Sequence, residues 1–315
     1  MNSKLYSVIA AVLLLTPGLF AANKAKAKAR QEPLPTPTHA DVKYGPHERN
    51  VLDLWLAKSD KPTSLVVFIH GGGFVAGDKS KAKAETIKRC LDAGVSFMSM
   101  NYRFRLHAPI QDILRDAARA IQFIRLHAAE YNIDPKRIAS HGGSAGAGTS
   151  LWLAVHDDLA DPNNTDPVLR QSSRISAVGC MNGQATYDMT EWEQVIGRFK
   201  TEWARSETED LQFYRFKSRD DYQTPEGKKF LADCSMLRQI TKDDPPIFMN
   251  CNMPDTEPEN RGQMVHHPRH AKAVKQRCDE VGVKCEIHLN DPGDVVGFLL
   301  QQLGVQSKPE KTAAQ

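Results

Sequence analysis

A serine between two glycines is the first group in the sequence that could act as a nucleophile. Gly142, Ser144 and Gly146 form the pattern Gly-x-Ser-x-Gly shortly after a predicted strand at residues 137–140. A serine on a sharp strand-to-helix turn needs small neighbours, because its backbone is strained and closely packed. The turn projects the hydroxyl above the sheet and places the N–H of Ala145 at a helix N-terminus, where negative charge is stabilised. The pattern therefore predicts nucleophilic catalysis by Ser144.

A second glycine-rich segment could supply the hydrogen-bond donors that this chemistry needs. The sequence His-Gly-Gly-Gly-Phe at residues 70–74 follows a continuous apolar run at residues 65–69. Glycines let backbone N–H groups approach a tetrahedral oxyanion, so we expect Gly72 and Gly73 to form an oxyanion hole with Ala145. The alternatives are a phosphate-binding loop or a plain turn. Nucleotide binding is disfavoured because neither Gly-x-Gly-x-x-Gly nor Gly-x-x-x-x-Gly-Lys-Ser/Thr accompanies the segment.

Both glycine-rich segments lie at the ends of predicted strands. Glycine-bounded apolar runs predict strands that are buried on both faces, and stretches with apolar residues at helical spacing alternate with them. The predicted strands are residues 50–57, 65–69, 95–100, 137–140, 175–180, 246–251 and 284–289, and the predicted helices are residues 82–93, 109–130, 145–155 and 264–281. This alternation predicts an α/β protein with a doubly wound, mostly parallel sheet.

Residues 186–240 interrupt the alternation and are rich in charged and aromatic side chains, including Trp192, Trp203 and Phe213. We interpret them as a helical, lid-like insertion over the carboxyl edge of the sheet. The alternative is an ordinary peripheral layer of helices.

The composition excludes several classes of function. Hydrophobic residues make up 41% and charged residues 25% of the 315 residues, and the formal net charge is +3 with basic residues spread along the chain. No nucleic-acid partner is therefore expected. The six cysteines form no Cys-x-x-Cys pair, so a zinc or redox motif is not expected. The proposed chemistry implies neither a metal nor an organic cofactor. Cys278 and Cys285 flank a predicted helix–strand connection and are either a disulfide pair or free thiols.

The N-terminal residues predict a secretory signal. Lys4 precedes an apolar run at residues 6–15, which is too short to span a bilayer, and Ala21 and Ala22 offer small residues for cleavage. We expect a signal peptide at 1–22, a linker at 23–40, the catalytic domain at 41–305 and a tail at 306–315. The mature protein is then secreted or periplasmic, without a stable membrane span.

Together these motifs resemble the α/β-hydrolase superfamily, in particular its carboxylesterase/lipase and feruloyl-esterase-like (BD-FAE-like) branch. The similarity runs over residues 42–180 and 235–290, and its most specific stretches are residues 44–53, 70–80, 101–103, 133–138 and 245–247. The resemblance implies the α/β-hydrolase fold and hydrolysis of carboxyl esters through an acyl-enzyme, often on ester groups that decorate plant or algal polysaccharides.

In such enzymes the acid that orients the base follows a late strand, here the one at residues 246–251. Asp255 lies in that position, and Glu257 and Glu259 are neighbouring carboxylates that could take its place. A surface aspartate without a catalytic role is the alternative.

The catalytic histidine departs from the family pattern. The resemblance places it after the last strand, in a stretch that here contains Gly293, Val296 and Phe298, so valine stands where histidine is expected. The candidate replacements are His266, His267, His270 and His288. The pair 266–267 lies between the Asp255 loop and a helix, so we expect His267 as the base, with His266 as the alternative base. A chain without a base is the third alternative.

Two functions follow from these residues. The first is a secreted serine esterase that acts on a small-molecule or carbohydrate ester. The second is a catalytically impaired protein of the same fold that binds an ester or carbohydrate ligand. Val296 favours the second function, whereas the elbow and the oxyanion segment favour the first.

Overall fold

An eight-stranded sheet forms the centre of the computed structural model, which describes residues 32–305. Its strands are β1 (His39–Lys43), β2 (Val51–Trp55), β3 (Thr63–Ile69), β4 (Ser96–Met100), β5 (Ile133–Gly143), β6 (Ala177–Met181), β7 (Ile247–Cys251) and β8 (Cys285–Leu289). They are arranged in the order β1-β2-β4-β3-β5-β6-β7-β8, and all neighbours are parallel except the pairs β1–β2 and β2–β4. The predicted α/β-hydrolase fold class is confirmed.

Helices cover both faces of this sheet. They are α1 (Ala84–Asp92), α2 (Ile110–Leu126), α3 (Ala145–Val155), α4 (Trp192–Ile196), α5 (Glu207–Tyr214), α6 (Pro225–Asp233), α7 (Met236–Gln239), α8 (Arg261–Val265), α9 (Pro268–Val281) and α10 (Val295–Gln302). Buried side chains of α2, α3 and α9 belong to the larger core cluster, whereas those of α1 and α10 belong to the smaller one.

Strand β3 shows why a continuous apolar run is needed at the centre of the sheet. Leu65, Val67 and Ile69 point into the larger core, while Val66 is buried in the smaller core on the opposite face. Successive side chains of a strand alternate between faces, so both sets must be apolar when helices cover both sides. This burial fixes the end of β3, from which the glycine-rich segment leaves the sheet.

The predicted linker at 23–40 differs from the structure at its end. Strand β1 begins at His39, inside the predicted linker, and two residues ahead of this strand are hydrogen-bonded to Trp55 and Leu56 at the end of β2. The indole Nε1 of Trp55 donates a hydrogen bond to the carbonyl of Pro35 at 2.7 Å, and Leu56 N donates to Thr38 Oγ1 at 3.0 Å. The predicted signal peptide at 1–22 and tail at 306–315 lie outside the described residues.

The predicted insertion lies between β6 and β7 and is built from short helices, as expected. Helices α4 to α7 belong to it, together with 3₁₀ turns at Met189–Glu191, Thr201–Trp203 and Arg219–Gln223. The insertion contacts helix α3, because Trp152 of that helix donates a hydrogen bond from Nε1 to the carbonyl of Asp233 at 2.7 Å.

Two further expectations concern membranes and thiols. Within residues 32–305, no helix has the length and apolar character required to cross a bilayer. All six cysteines are free thiols, including Cys278 and Cys285.

Candidate active site

Ser144 sits on a strained turn between β5 and α3. Its backbone has φ 53° and ψ −121°, a conformation that L-residues rarely adopt. The turn leaves no room beside it, because a Cβ added at Gly146 would lie 2.0 Å from the carbonyl oxygen of Ile69. Ser144 N also donates a hydrogen bond to Met181 O at 2.9 Å, which ties the turn to β6. Close packing and this hydrogen bond therefore fix the position of Ser144 directly after β5.

The glycine-rich segment after β3 lies next to this turn. Gly72 and Gly73 have φ of +118° and +60°, values that a residue with a Cβ adopts only at a cost. Both line the same cavity as Ser144 and Ala145. Ala145 is the first residue of α3, and the first N–H groups of a helix have no partner within it. The three predicted donor residues are therefore gathered around one cavity, next to the serine.

His70 stabilises the start of this glycine-rich segment. Its Nδ1 donates a hydrogen bond to Gly71 O at 2.7 Å, its ring stacks on Tyr102 at 4.3 Å between centroids, and the Tyr102 hydroxyl donates to His70 O at 2.7 Å. Burial lowers the pKa of His70 to about 4, so the imidazole is neutral at physiological pH. It therefore holds the segment without adding a charge.

The imidazole that reaches the serine belongs to His266. The distance from Ser144 Oγ to His266 Nε2 is 2.8 Å, and that from His266 Nδ1 to Gly262 O is 3.1 Å. A carbonyl oxygen can only accept, so Nδ1 carries the proton and Nε2 is left as the acceptor of the serine hydroxyl. Burial lowers the pKa of His266, and the hydrogen bond to Gly262 offsets part of that effect. The ring is therefore neutral and correctly oriented to take a proton from Ser144.

His267 is placed differently from the expectation. It is only 1% exposed and caps the N-terminus of α9. Its Nδ1 accepts a hydrogen bond from Arg269 N at 3.2 Å, and its Nε2 donates to Thr256 O at 2.9 Å. Both ring nitrogens are thus engaged in holding the chain, and the structure does not bring His267 to Ser144.

Asp255 is also separated from the histidine that it was expected to orient. Its carboxylate forms ion pairs with Lys272 and, at 3.5 Å, with Arg269, both on α9. Within the described residues, the ring nitrogens of His266 bond to Ser144 and Gly262 and to no carboxylate. The structure therefore contains a serine–histidine pair in which a backbone carbonyl, that of Gly262, bonds to the histidine in place of a carboxylate.

The remaining histidine candidates lie away from the serine. His270 is fully buried and accepts a hydrogen bond at Nδ1 from Ala185 N at 3.3 Å. His288 bonds to Glu286 at 2.8 Å and to Asp291 at 3.0 Å. Val296, at the position expected for the family's histidine, is buried in the smaller core on the other side of the sheet.

Proline explains the choice between the two adjacent histidines. We expected one helix at 264–281, but the structure has α8 ending at Val265 and α9 beginning at Pro268. A residue before proline is forced out of the helical region, and His267 accordingly has φ −62° and ψ 137°. It takes the N-cap position of α9, which leaves His266 to face the cavity. The His-His-Pro sequence carried this signal.

The cavity beside Ser144 has a volume of about 500 Å³. Aromatic and apolar side chains form most of its wall, and three arginines that sequence analysis did not identify join them. The residues that project into it from outside the elbow and the oxyanion segment include Arg105, Tyr187, Met189, Trp192, Trp203, Arg205, Phe213, Arg261 and Met264. Two tryptophans and Phe213 come from the insertion, so this segment contributes part of the cavity wall.

The family model described as BD-FAE matches residues 52–257. The chain belongs to this family. The match includes the elbow and the oxyanion segment but ends before His266, so the histidine that contacts Ser144 lies outside the matched region. The predicted resemblance to the feruloyl-esterase-like branch is confirmed.

Two relatives to which the chain is similar in sequence are named as ester hydrolases. A probable isoprenylcysteine alpha-carbonyl methylesterase, ICMEL1 of Arabidopsis thaliana, is 32% identical over 151 residues, which cover 45% of this chain and 30% of that protein. The carboxylic ester hydrolase LipN of Mycobacterium tuberculosis is 32% identical over 157 residues, which cover 47% of this chain and 42% of LipN. The matched regions thus span less than half the length of either relative.

Solved structures share the fold. A truncated form of a carbohydrate esterase from gut microbiota has a TM-score of 0.66 at 20% identity, covering 87% of this chain and 100% of that one. The propionate-bound thermophilic esterase Est2 of Thermogutta terrifontis has a TM-score of 0.55 at 21% identity, covering 84% and 91%. At these identities the similarity establishes the α/β-hydrolase fold.

Proposed function

We propose that this protein is an exported serine esterase that hydrolyses carboxyl esters through an acyl-enzyme on Ser144, with His266 as the general base. The observation that carries the proposal is the 2.8 Å contact between Ser144 Oγ and His266 Nε2. A serine hydroxyl is a weak nucleophile until an adjacent base accepts its proton, and this contact is within the range that proton transfer requires. It supplies the base that Val296 does not.

Each residue of the site has a separate role in the reaction. Ser144 Oγ attacks the ester carbonyl carbon while His266 Nε2 takes the hydroxyl proton. The carbonyl oxygen becomes an oxyanion, which the N–H groups of Gly72, Gly73 and Ala145 stabilise. The tetrahedral intermediate expels the alcohol, which leaves with the proton from His266, and a water molecule then hydrolyses the acyl-enzyme by the same route in reverse.

The carbonyl of Gly262 takes over the orienting role that a carboxylate performs in a triad. It selects the tautomer with the proton on Nδ1, and its dipole faces the imidazolium that forms during each step. A carbonyl carries only a partial charge, so the stabilisation of the imidazolium is smaller than a carboxylate would give. We therefore expect a working enzyme with a more acidic base than that of a complete triad.

The substrates we propose are small-molecule or carbohydrate esters, including acyl groups linked to polysaccharides. The similarity to a structure described as a carbohydrate esterase supports the carbohydrate class. The sequence at residues 1–22 supports export, which would bring the enzyme to polysaccharides outside the cytoplasm.

A non-catalytic binding protein is the second candidate, and it is favoured because no carboxylate of residues 32–305 bonds to His266. Kinetics separate the two. We expect wild type to hydrolyse 4-nitrophenyl acetate, and Ser144→Ala and His266→Ala each to lose several orders of magnitude in kcat, because members of such a unit fail together. The double variant should be no slower than either single variant. His127→Gln, a change at a distant partly exposed histidine, is the control. A wild type that neither turns over this ester nor reacts with a fluorophosphonate probe would contradict the esterase function.

A further inference from the structure

We infer that the cavity beside Ser144 selects esters that carry a carboxylate or a similar anion, which Arg205 and Arg105 bind. This inference rests on the proposed esterase function and names the class of its substrate.

The cavity surface is positively charged. Arg105, Arg205 and Arg261 all line the cavity, and none of the described residues that line it is acidic. Their carboxylate partners, Glu209 and Asp210 of α5, do not contribute to the cavity wall. A ligand in the cavity therefore contacts guanidinium groups, whose carboxylate partners lie outside the cavity wall.

The carboxylates also number fewer than the guanidiniums. Glu209 is shared between Arg105 at 3.1 Å and Arg261 at 3.4 Å. Burial opposes its ionisation, but the Ser206 N–H and these two arginines outweigh that effect and lower the pKa of Glu209 to about 2. With Asp210 paired to Arg205, the group has three positive and two negative charges. One positive charge is left without a counterpart in the cluster.

Arg205 has the geometry of a prepared anion site. Its guanidinium lies 3.6 Å above the ring centroid of Phe213, and its side chain is 13% exposed. Its single hydrogen bond among the described residues runs from one terminal nitrogen to Asp210 Oδ1 at 3.3 Å, and Asp210 also accepts from the Tyr222 hydroxyl. A guanidinium has five N–H donors, so the unused donors are available to a ligand in the cavity, in a planar arrangement that suits a carboxylate.

Arg105 connects this anion site to the catalytic groups. Its backbone N–H donates a hydrogen bond to Phe74 O at 2.8 Å, directly after the oxyanion segment. The same cavity is therefore lined by the catalytic groups and by the guanidiniums, with Trp192, Trp203 and Phe213 also in its wall. The Arg205 side chain is only 13% exposed, and low exposure to water strengthens an ion pair formed between a ligand and this guanidinium.

Two pairs of esters test this inference and locate the anion. In the first pair the anion is on the alcohol side, 4-acetoxybenzoate against the neutral 4-acetoxybenzamide. In the second it is on the acyl side, monomethyl succinate against methyl succinamate. We expect wild type to prefer the anionic member of at least one pair in kcat/KM. In Arg205→Gln the ratio of anionic to neutral kcat/KM should fall by about tenfold or more, the effect of losing a charge-assisted hydrogen bond.

Matched variants separate charge recognition from folding. Arg198→Gln removes the same charge from an exposed position of the same insertion and should leave both ratios unchanged. If thermal denaturation shows that Arg205→Gln is unfolded, Arg105→Gln must lower the same ratio. Equal rates for both members of each pair in wild type, or equal losses for both in the arginine variants, would overturn the inference while the esterase function stands. A wild type that hydrolyses none of the four esters and does not react with a serine-directed probe would overturn both.

Discussion

The variant Asp255→Asn distinguishes the serine–histidine–carbonyl arrangement from an ordinary triad. The Asp255 carboxylate pairs with Lys272 and Arg269 and is 35% exposed. An ion pair of this exposure contributes about 0.2–1 kcal/mol to stability. In a domain of this size that corresponds to a loss of at most about 2–4 °C in the melting temperature. Because the group does not touch His266, we expect kcat/KM to change less than about twofold.

The same variant would behave differently if Asp255 oriented the base. Removing the carboxylate of a triad lowers kcat by about 10⁴-fold while leaving the fold intact. Initial rates on 4-nitrophenyl acetate, measured beside melting temperatures, therefore separate the two accounts. Asp279→Asn is the matched control, because Asp279 forms a similar exposed pair with Lys275 on the same helix. A loss of a hundredfold or more in Asp255→Asn, with unchanged melting and an unaffected Asp279→Asn, would refute the arrangement described here.

Two further predictions follow from the site. The acid limb of the kcat/KM profile should have its midpoint below pH 6.5, because the base must be unprotonated and burial holds the pKa of His266 below its usual 6.5; a midpoint above 6.5 would contradict this. Gly146→Ala should lower stability by about 1–3 kcal/mol in denaturant unfolding, because its Cβ would meet Ile69 O at 2.0 Å. Gly143→Ala should be tolerated, since its Cβ would be 3.9 Å from the nearest atom, Met181 O; equal losses in both would show that crowding does not constrain the turn.

The sheet and the elbow could be predicted because their sequence requirements are local. The run at 65–69 is apolar at every position because both faces of β3 are covered, and the spacing of Gly142, Ser144 and Gly146 follows from close packing of the turn. Local pattern alone was enough to identify these elements.

The base and the arginines depend on contacts between distant segments, which spacing does not encode. His266 lies 122 residues after Ser144, and its selection over His267 depends on the helix break before Pro268. Arg105 and Arg205 reach one cavity from a loop after β4 and from the insertion, and Asp255 pairs with Lys272 because α9 begins beside it. Only the folded arrangement shows which of these charges face each other.

Activation of Ser144 by His266 is the central claim, and covalent labelling tests it most directly. We predict that a fluorophosphonate probe reacts with wild type and that peptide mass spectrometry places the adduct on Ser144. Under the same conditions His266→Ala should label at least about a hundredfold more slowly, while His267→Gln and His127→Gln, where folded, retain labelling. Wild-type labelling that persists at the same rate in His266→Ala, or a wild type that never labels, would contradict the claim.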